Sequence, residues 1–199
     1  IDGGFLDWDY MVNRLAQEEP FWSPGTRHGY HMSTFGWTVG ELVRRVSDES
    51  LGEFFRNHVA RPLGLDFHIG MPEEEHHRVS RMLRWAPKKG DPIAPYTQAL
   101  LNDRNSIQYL ALLNSGGMKT DSPASYLAEY GAGGGITNAR GLAGMYKPLA
   151  NGGQGFIDAD SIELMQSVST ATMVDATLLS PSRFSLGFML SMDNRHRVS

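Results

Sequence analysis

Residues 184–192, FSLGFMLSM, constrain the fold more than any other stretch of the chain. Phe184, Leu186, Phe188, Leu190 and Met192 alternate with Ser185, Gly187, Met189 and Ser191, the pattern of a half-buried β-strand. A lone strand leaves its backbone donors and acceptors unpaired, so it must join others. The rest of the chain reads as helix or irregular segment. The partners of this strand are therefore expected outside these 199 residues.

Helical spacing dominates upstream. Trp8, Met11, Val12 and Leu15 form one apolar stripe, ended by Pro20. Val39, Leu42, Val43 and Val46 form a second, with Thr38 and Glu41 placed as a capping box at its start. Ser50 and Glu53 make another box, opening a helix whose inner face is Leu51, Phe54, Phe55 and Val59 and which stops at Pro62 and Gly64. Residues 38–60 thus predict two helices joined by a tight turn. The charged, proline-rich stretch 71–96 predicts a surface excursion with one short strand over residues 79–83. Ile107, Leu110 and Ala111 mark a short helix closed by Gly116 and Gly117. A glycine-rich loop at 131–135 then leads into a helix with Ala139, Leu142, Ala143, Tyr146 and Leu149 on one face. Asn151, Gly152 and Gly153 end it, and a further helix is expected after Asp158.

Composition bounds the chemistry. Hydrophobic residues make up 41% and charged residues 20%, enough for a packed core and too apolar for a disordered chain. The formal net charge is −4 with scattered basic residues, which gives no nucleic-acid footprint. No apolar run approaches the ~20 residues of a membrane-spanning helix. Cysteine is absent, which excludes disulfides, a cysteine nucleophile and thiolate-ligated metal. The first residue is Ile1 and no leader pattern follows, so the chain reads as a processed, truncated or excised piece.

Candidate motifs thin out quickly. Glu73 to His77 concentrate potential ligands, but neither H-E-x-x-H nor H-x-x-E-H occurs, so a solvated face is expected there. The loop 131–135 is glycine-rich, yet Ile136 stands where the dinucleotide fingerprint needs glycine, and no Gly-Lys-Ser/Thr follows. It reads as a flexible connection into a helix, with a backbone-lined cleft wall as the alternative. No G-x-S-x-G and no S-x-x-K is present, and Lys119-Thr120 is followed by Asp121 rather than glycine.

One long segment carries a specific signal. Pro24-Gly25, Tyr30, Gly36, Gly40-Glu41-Leu42 and Pro62-Leu63-Gly64 follow one another in an order and spacing that resemble the segment around the catalytic tyrosine of the serine β-lactamase-related family. That family takes in class C β-lactamases, DD-peptidases and the esterases that share their fold. GGGITNARGLAGMYKPLANGG resembles its later loop and helix, and FSLGFMLSMD the strand leading toward its Lys/His-x-Gly strand. The resemblance implies a mixed α/β (α+β) domain of β-lactamase/transpeptidase-like fold, of which residues 1–199 would supply mainly the helical part and one or more sheet strands. It also implies a serine hydrolase that works through an acyl-enzyme on a small-molecule ester or amide, with no metal or organic cofactor. Tyr30 would act as general base beside a lysine, since a serine hydroxyl needs a base to take its proton. A phenol, with its ordinary pKa near ~10, serves only where positive neighbours favour the phenolate. Without the surrounding motif, Tyr30 would read as a packing tyrosine with its hydroxyl tied to backbone.

Three departures shape the expectation. The family's S-x-x-K, which lies upstream of the tyrosine, is absent. So is its Lys/His-x-Gly strand, since His68-Ile69-Gly70 matches by letters alone. Met32 stands where the lactamases carry the asparagine of Y-x-N, and a thioether cannot bind a side-chain amide as asparagine does. The last departure favours an esterase-like acyl hydrolase, and the missing motifs and sheet predict that residues 1–199 alone are inactive and poorly stable. The alternatives are a non-catalytic relative that binds in the same cleft, and a helical interaction module.

Overall fold

The computed structural model describes residues 1–83, 88 and 90–192. Residues 84–87 and 89, within the expected surface excursion, lie outside the described residues. Eight α-helices and four short strands are formed among the described residues: α1 Trp8–Gln17, α2 Phe35–Ser47, α3 Leu51–Phe55, β1 Phe67–Ile69, α4 Pro95–Asn102, α5 Ile107–Leu112, α6 Pro123–Leu127, β2 Gly135–Thr137, α7 Ala139–Ala150, α8 Ala159–Gln166, β3 Thr170–Thr172 and β4 Ser182–Phe184. α3 runs on as a π turn over Arg56–Ala60 before Gly64, at φ 63, ends the segment. β1 pairs antiparallel with β2, His68 opposite Ile136, and β3 pairs antiparallel with β4, Ala171 opposite Arg183.

Local chemistry explains most helix starts. Asp7, Ser50, Ser106, Asn138 and Asp158 each accept hydrogen bonds from backbone amides in the first turn that follows. The Ser50–Glu53 box is closed in both directions. The Thr38–Glu41 box is not formed. α2 begins three residues earlier, at Phe35, so Thr38 lies inside the helix, where its hydroxyl bonds back to the carbonyls of Thr34 and Phe35. Glu41 turns instead toward the Trp8 indole and two arginines.

The core lies between α1, α2 and the loop that precedes β2. Trp37 is 2% exposed and meets Phe5 edge-on at 4.8 Å and Tyr130 at 5.1 Å. Met11 is buried on α1, as its stripe predicts. On α2 the buried residues are Gly36, Trp37, Gly40 and Glu41, whereas Val39, Leu42 and Val46 of the expected inner stripe are exposed. α7 shows the same inversion, with Gly141 and Pro148 buried and Leu142 and Tyr146 exposed.

Two strand expectations are corrected. Residues 79–83 form no strand, and the strand of this region is β1, upstream. The alternating run 184–192 is a hairpin end rather than a single strand. Its ladder stops at Phe184, the chain turns through Leu186 and Gly187, and Phe184 bridges back to Met189. The Ser185 amide donates to the Phe188 carbonyl at 2.9 Å, and Gly187 takes φ 82, a left-handed position that glycine fills without strain. The strand's partner also lies within the chain, since β4 pairs with β3.

Candidate active site

The segment that leads to Tyr30 is built from a turn and two clamps. Thr26 donates its amide to the Ser23 carbonyl across Pro24-Gly25, with Gly25 at φ 81, which is the expected Pro-Gly turn. The Ala176 amide then donates to the His28 carbonyl at 2.9 Å, and the Tyr30 amide donates to Asp175 Oδ1 at 3.1 Å. Downstream, the buried Ser33 hydroxyl donates to the Ala111 carbonyl on α5, which seats the chain for its entry into α2.

Tyr30 is 37% exposed, and its ring stacks on Phe184 with centroids 5.5 Å apart and 10° between planes. Its hydroxyl makes no hydrogen bond to a described residue. Tyr30, His31, Met32 and Thr34 line a cavity of about 530 Å³, together with Trp22, Tyr10 and Thr177 from neighbouring segments. Met32 enters this wall with its sulfur engaged, because Tyr96 Oη–H donates to Sδ at 3.2 Å. Burial pushes the Tyr96 phenol above its ordinary pKa, so it remains a donor at neutral pH.

Asp175 anchors this wall, and nothing in the sequence pattern marked it. It is fully buried, and its Oδ1 accepts from the amides of Tyr30, Thr177 and Leu178 while Oδ2 accepts from the Ser182 hydroxyl. Burial opposes its ionisation, but the hydrogen bonds from Leu178, Tyr30, Ser182 and Thr177 outweigh that cost and hold the carboxyl below its ordinary pKa. His28 Nε2 lies 3.1 Å from Oδ2 without the angular alignment of a hydrogen bond.

The glycine-rich loop sits close by but lines a different cavity. Gly36, in the first turn of α2, packs against it so tightly that a Cβ there would come within 2.5 Å of the Ala132 amide nitrogen. Gly133, Gly134 and Gly135 face a separate space of about 450 Å³ with Asp66, His68, Arg78 and Asn138. The loop is thus a backbone-lined wall, of a cavity that shares no lining residue with that of Tyr30. His68 of the His-Ile-Gly sequence belongs to this second cavity, where it faces Asp66 at 3.5 Å. The Glu73–Arg78 turn makes internal contacts: His76 Nε2 meets the Met71 carbonyl, His77 Nδ1 the Glu74 carbonyl, and Glu75 pairs with Arg78.

This fold has clear counterparts. A family VIII carboxylesterase superposes with a TM-score of 0.79 and 32% identity, over 98% of this chain and 50% of that one. A penicillin-binding protein homolog from Caulobacter crescentus gives a TM-score of 0.77 and 26% identity, over 97% and 49%. Among curated proteins, esterase/beta-lactamase LipL of Mycobacterium tuberculosis is 29% identical over 191 residues, 92% of this chain and 44% of LipL. The chain therefore spans about half the length of these relatives. Residues 1–197 match the Beta-lactamase family model, so the chain belongs to the Beta-lactamase family, with its mixed helix-and-strand, penicillin-binding-protein-like fold.

Proposed function

We propose that the protein carrying this chain is a serine hydrolase of small-molecule esters, and that Tyr30 supplies its general base. One observation carries the reading. The Tyr30 backbone and ring are each fixed, by Asp175 and by Phe184, while the residue lines a cavity and its hydroxyl has no partner among the described residues. A tyrosine buried only for packing would tie its hydroxyl to backbone, and Tyr30 is neither fully buried nor so tied. Residues 1–199 lack S-x-x-K, so the serine and its lysine would come from sequence outside them, consistent with a chain that spans half of its relatives.

In this reading the phenolate takes the serine proton as Oγ bonds to the ester carbonyl carbon. The alcohol leaves with a proton returned from the phenol, and water then hydrolyses the acyl-serine. Met32 favours esters over β-lactams, because a thioether already taken by Tyr96 gives an amide side chain neither a donor nor a strong acceptor.

The test is intact-mass analysis of the native protein after exposure to a fluorophosphonate and, separately, to a penicillin. One fluorophosphonate adduct is expected, with little or none from penicillin, and Tyr30→Phe should slow labelling by about 10²–10⁴-fold. No adduct from either reagent on a folded protein would sink the proposal and leave a non-catalytic relative.

A further inference from the structure

Asp175 asks for an explanation that packing does not give. A fully buried carboxylate is costly unless its oxygens are paired, and this one is paired to segments far apart in sequence. Its Oδ1 collects amides from Tyr30 at 3.1 Å, Thr177 at 2.9 Å and Leu178 at 2.9 Å. Its Oδ2 takes the Ser182 hydroxyl at 2.8 Å and faces His28 Nε2. Around it, Gln108 Nε2 donates to the carbonyls of Ala176 and Thr177, both at 2.9 Å, so the loop that carries Asp175 is itself pinned to α5. Phe184 then touches both rings of the clamped segment, His28 at 5.4 Å and Tyr30 at 5.5 Å.

We propose that Asp175 is the positioning residue of Tyr30: it fixes the tyrosine backbone through Oδ1 and, through His28 and Phe184, the plane of the phenol. The inference rests on the proposed role of Tyr30. The fixing contacts reach Tyr30 at its backbone and ring face, and its hydroxyl makes no hydrogen bond to a described residue. Such an arrangement suits a group whose oxygen must meet a reacting proton within a few tenths of an ångström. A displacement near 1 Å can cost about 100-fold in rate.

The experiment uses the complete protein that carries this chain, labelled with 13Cζ-tyrosine. The Tyr30 resonance is identified by its loss in Tyr30→Phe. Asp175→Asn keeps the side-chain shape and one acceptor, but sets an amide donor against His28 and Ser182. It is expected to shift or split the Tyr30 resonance and to lower kcat for an ester by about 10–100-fold, with KM changed by less than about 3-fold. Ser50→Ala, a helix-cap change remote from this wall, is the control and should move neither readout.

A Tyr30 resonance unmoved by Asp175→Ala, which removes the Oδ1 acceptor that Asn retains, overturns the proposal, whatever the rate does. So does a moved resonance with unchanged kcat where Tyr30→Phe is slow. If the resonance moves and Tyr30→Phe keeps full activity, the positioning contact stands and the catalytic reading of Tyr30 fails instead. Should neither Asp175 variant fold, Ser182→Ala removes one Oδ2 partner and is expected to give a smaller shift, and no shift there would also overturn the inference.

Discussion

At the scale of single residues, the hydrogen bonds decide what a buried charge does. Glu41 is 7% exposed, with Trp8 Nε1 and Arg44 Nε on one carboxylate oxygen and the Arg44 terminal nitrogen and Arg45 Nε on the other. The Arg44 bond is the largest influence, and with the bonds from Trp8 and Arg45 it overcomes burial to lower the Glu41 pKa from 4.5 to about 2. A carboxyl whose folded pKa is depressed stabilises fully above its unfolded value and loses that contribution as pH falls through the folded one. The Glu41 contribution should therefore be complete above about pH 4.5 and fade toward pH 2. Glu41→Gln is expected to cost about 2 kcal/mol at pH 7, as hydrogen bonds to a charged group do, and progressively less at low pH. Urea midpoints of the complete protein with and without Glu41→Gln at pH 7, 5, 4 and 3 would show the two curves converging. Parallel curves would mean that Glu41 packs α1 on α2 without its charge mattering.

Elements show where a sequence pattern is sufficient and where it is not. Ser50 and Glu53 form the box that their letters predict, and a second carboxylate joins it. Glu129 accepts from the Ser50 hydroxyl at 2.7 Å and from the Gly52 amide at 2.8 Å, so a distant loop completes the N-terminus of α3. Ser50→Ala should cost about 1–2 kcal/mol, since it removes the cap and orphans part of Glu129. Thr38→Ala should change stability by less than about 0.5 kcal/mol, because Thr38 sits inside α2 and caps nothing. Thermal melts of the two variants in the complete protein, side by side, would settle the difference, and equal losses would mean that Thr38 holds α2 in some other way. Both boxes share the same spacing, but only Ser50 follows a break, at Asp48 with φ 59, that forces a new helix to start. The run 184–192 misleads for a related reason. Alternation survives a tight turn, so period two alone does not separate one long strand from a hairpin whose corner is Gly187. In the candidate site, the Pro24-Gly25 turn ahead of Tyr30 was legible because its residues are adjacent in sequence. Asp175 was not, because its partner amide belongs to Tyr30, 145 residues away.

At the scale of the molecule, two apolar faces point outward together. Phe35, Val39, Leu42 and Val46 fall at successive helical turns of α2 and are 49%, 40%, 63% and 85% exposed. On α7, Leu142 and Tyr146 are each 45% exposed. Stripes at this spacing normally bury themselves against a neighbouring layer. Among the described residues the sheets are two-stranded, and an isolated strand pair is marginal in water. Both observations fit the proposal that residues 1–199 are part of a longer domain whose remaining sequence covers α2 and α7. Expressed alone, this chain is then expected to bind a hydrophobic dye, to melt without a sharp cooperative transition and to turn over no ester. Leu42→Lys with Val46→Glu should reduce dye binding and self-association of the isolated chain. In the complete protein the same pair should cost several kcal/mol, because both positions would there be buried. A cooperative melt of the isolated chain, or harmless substitution in the complete protein, would show that these faces are true surface and that the fold closes without further sequence.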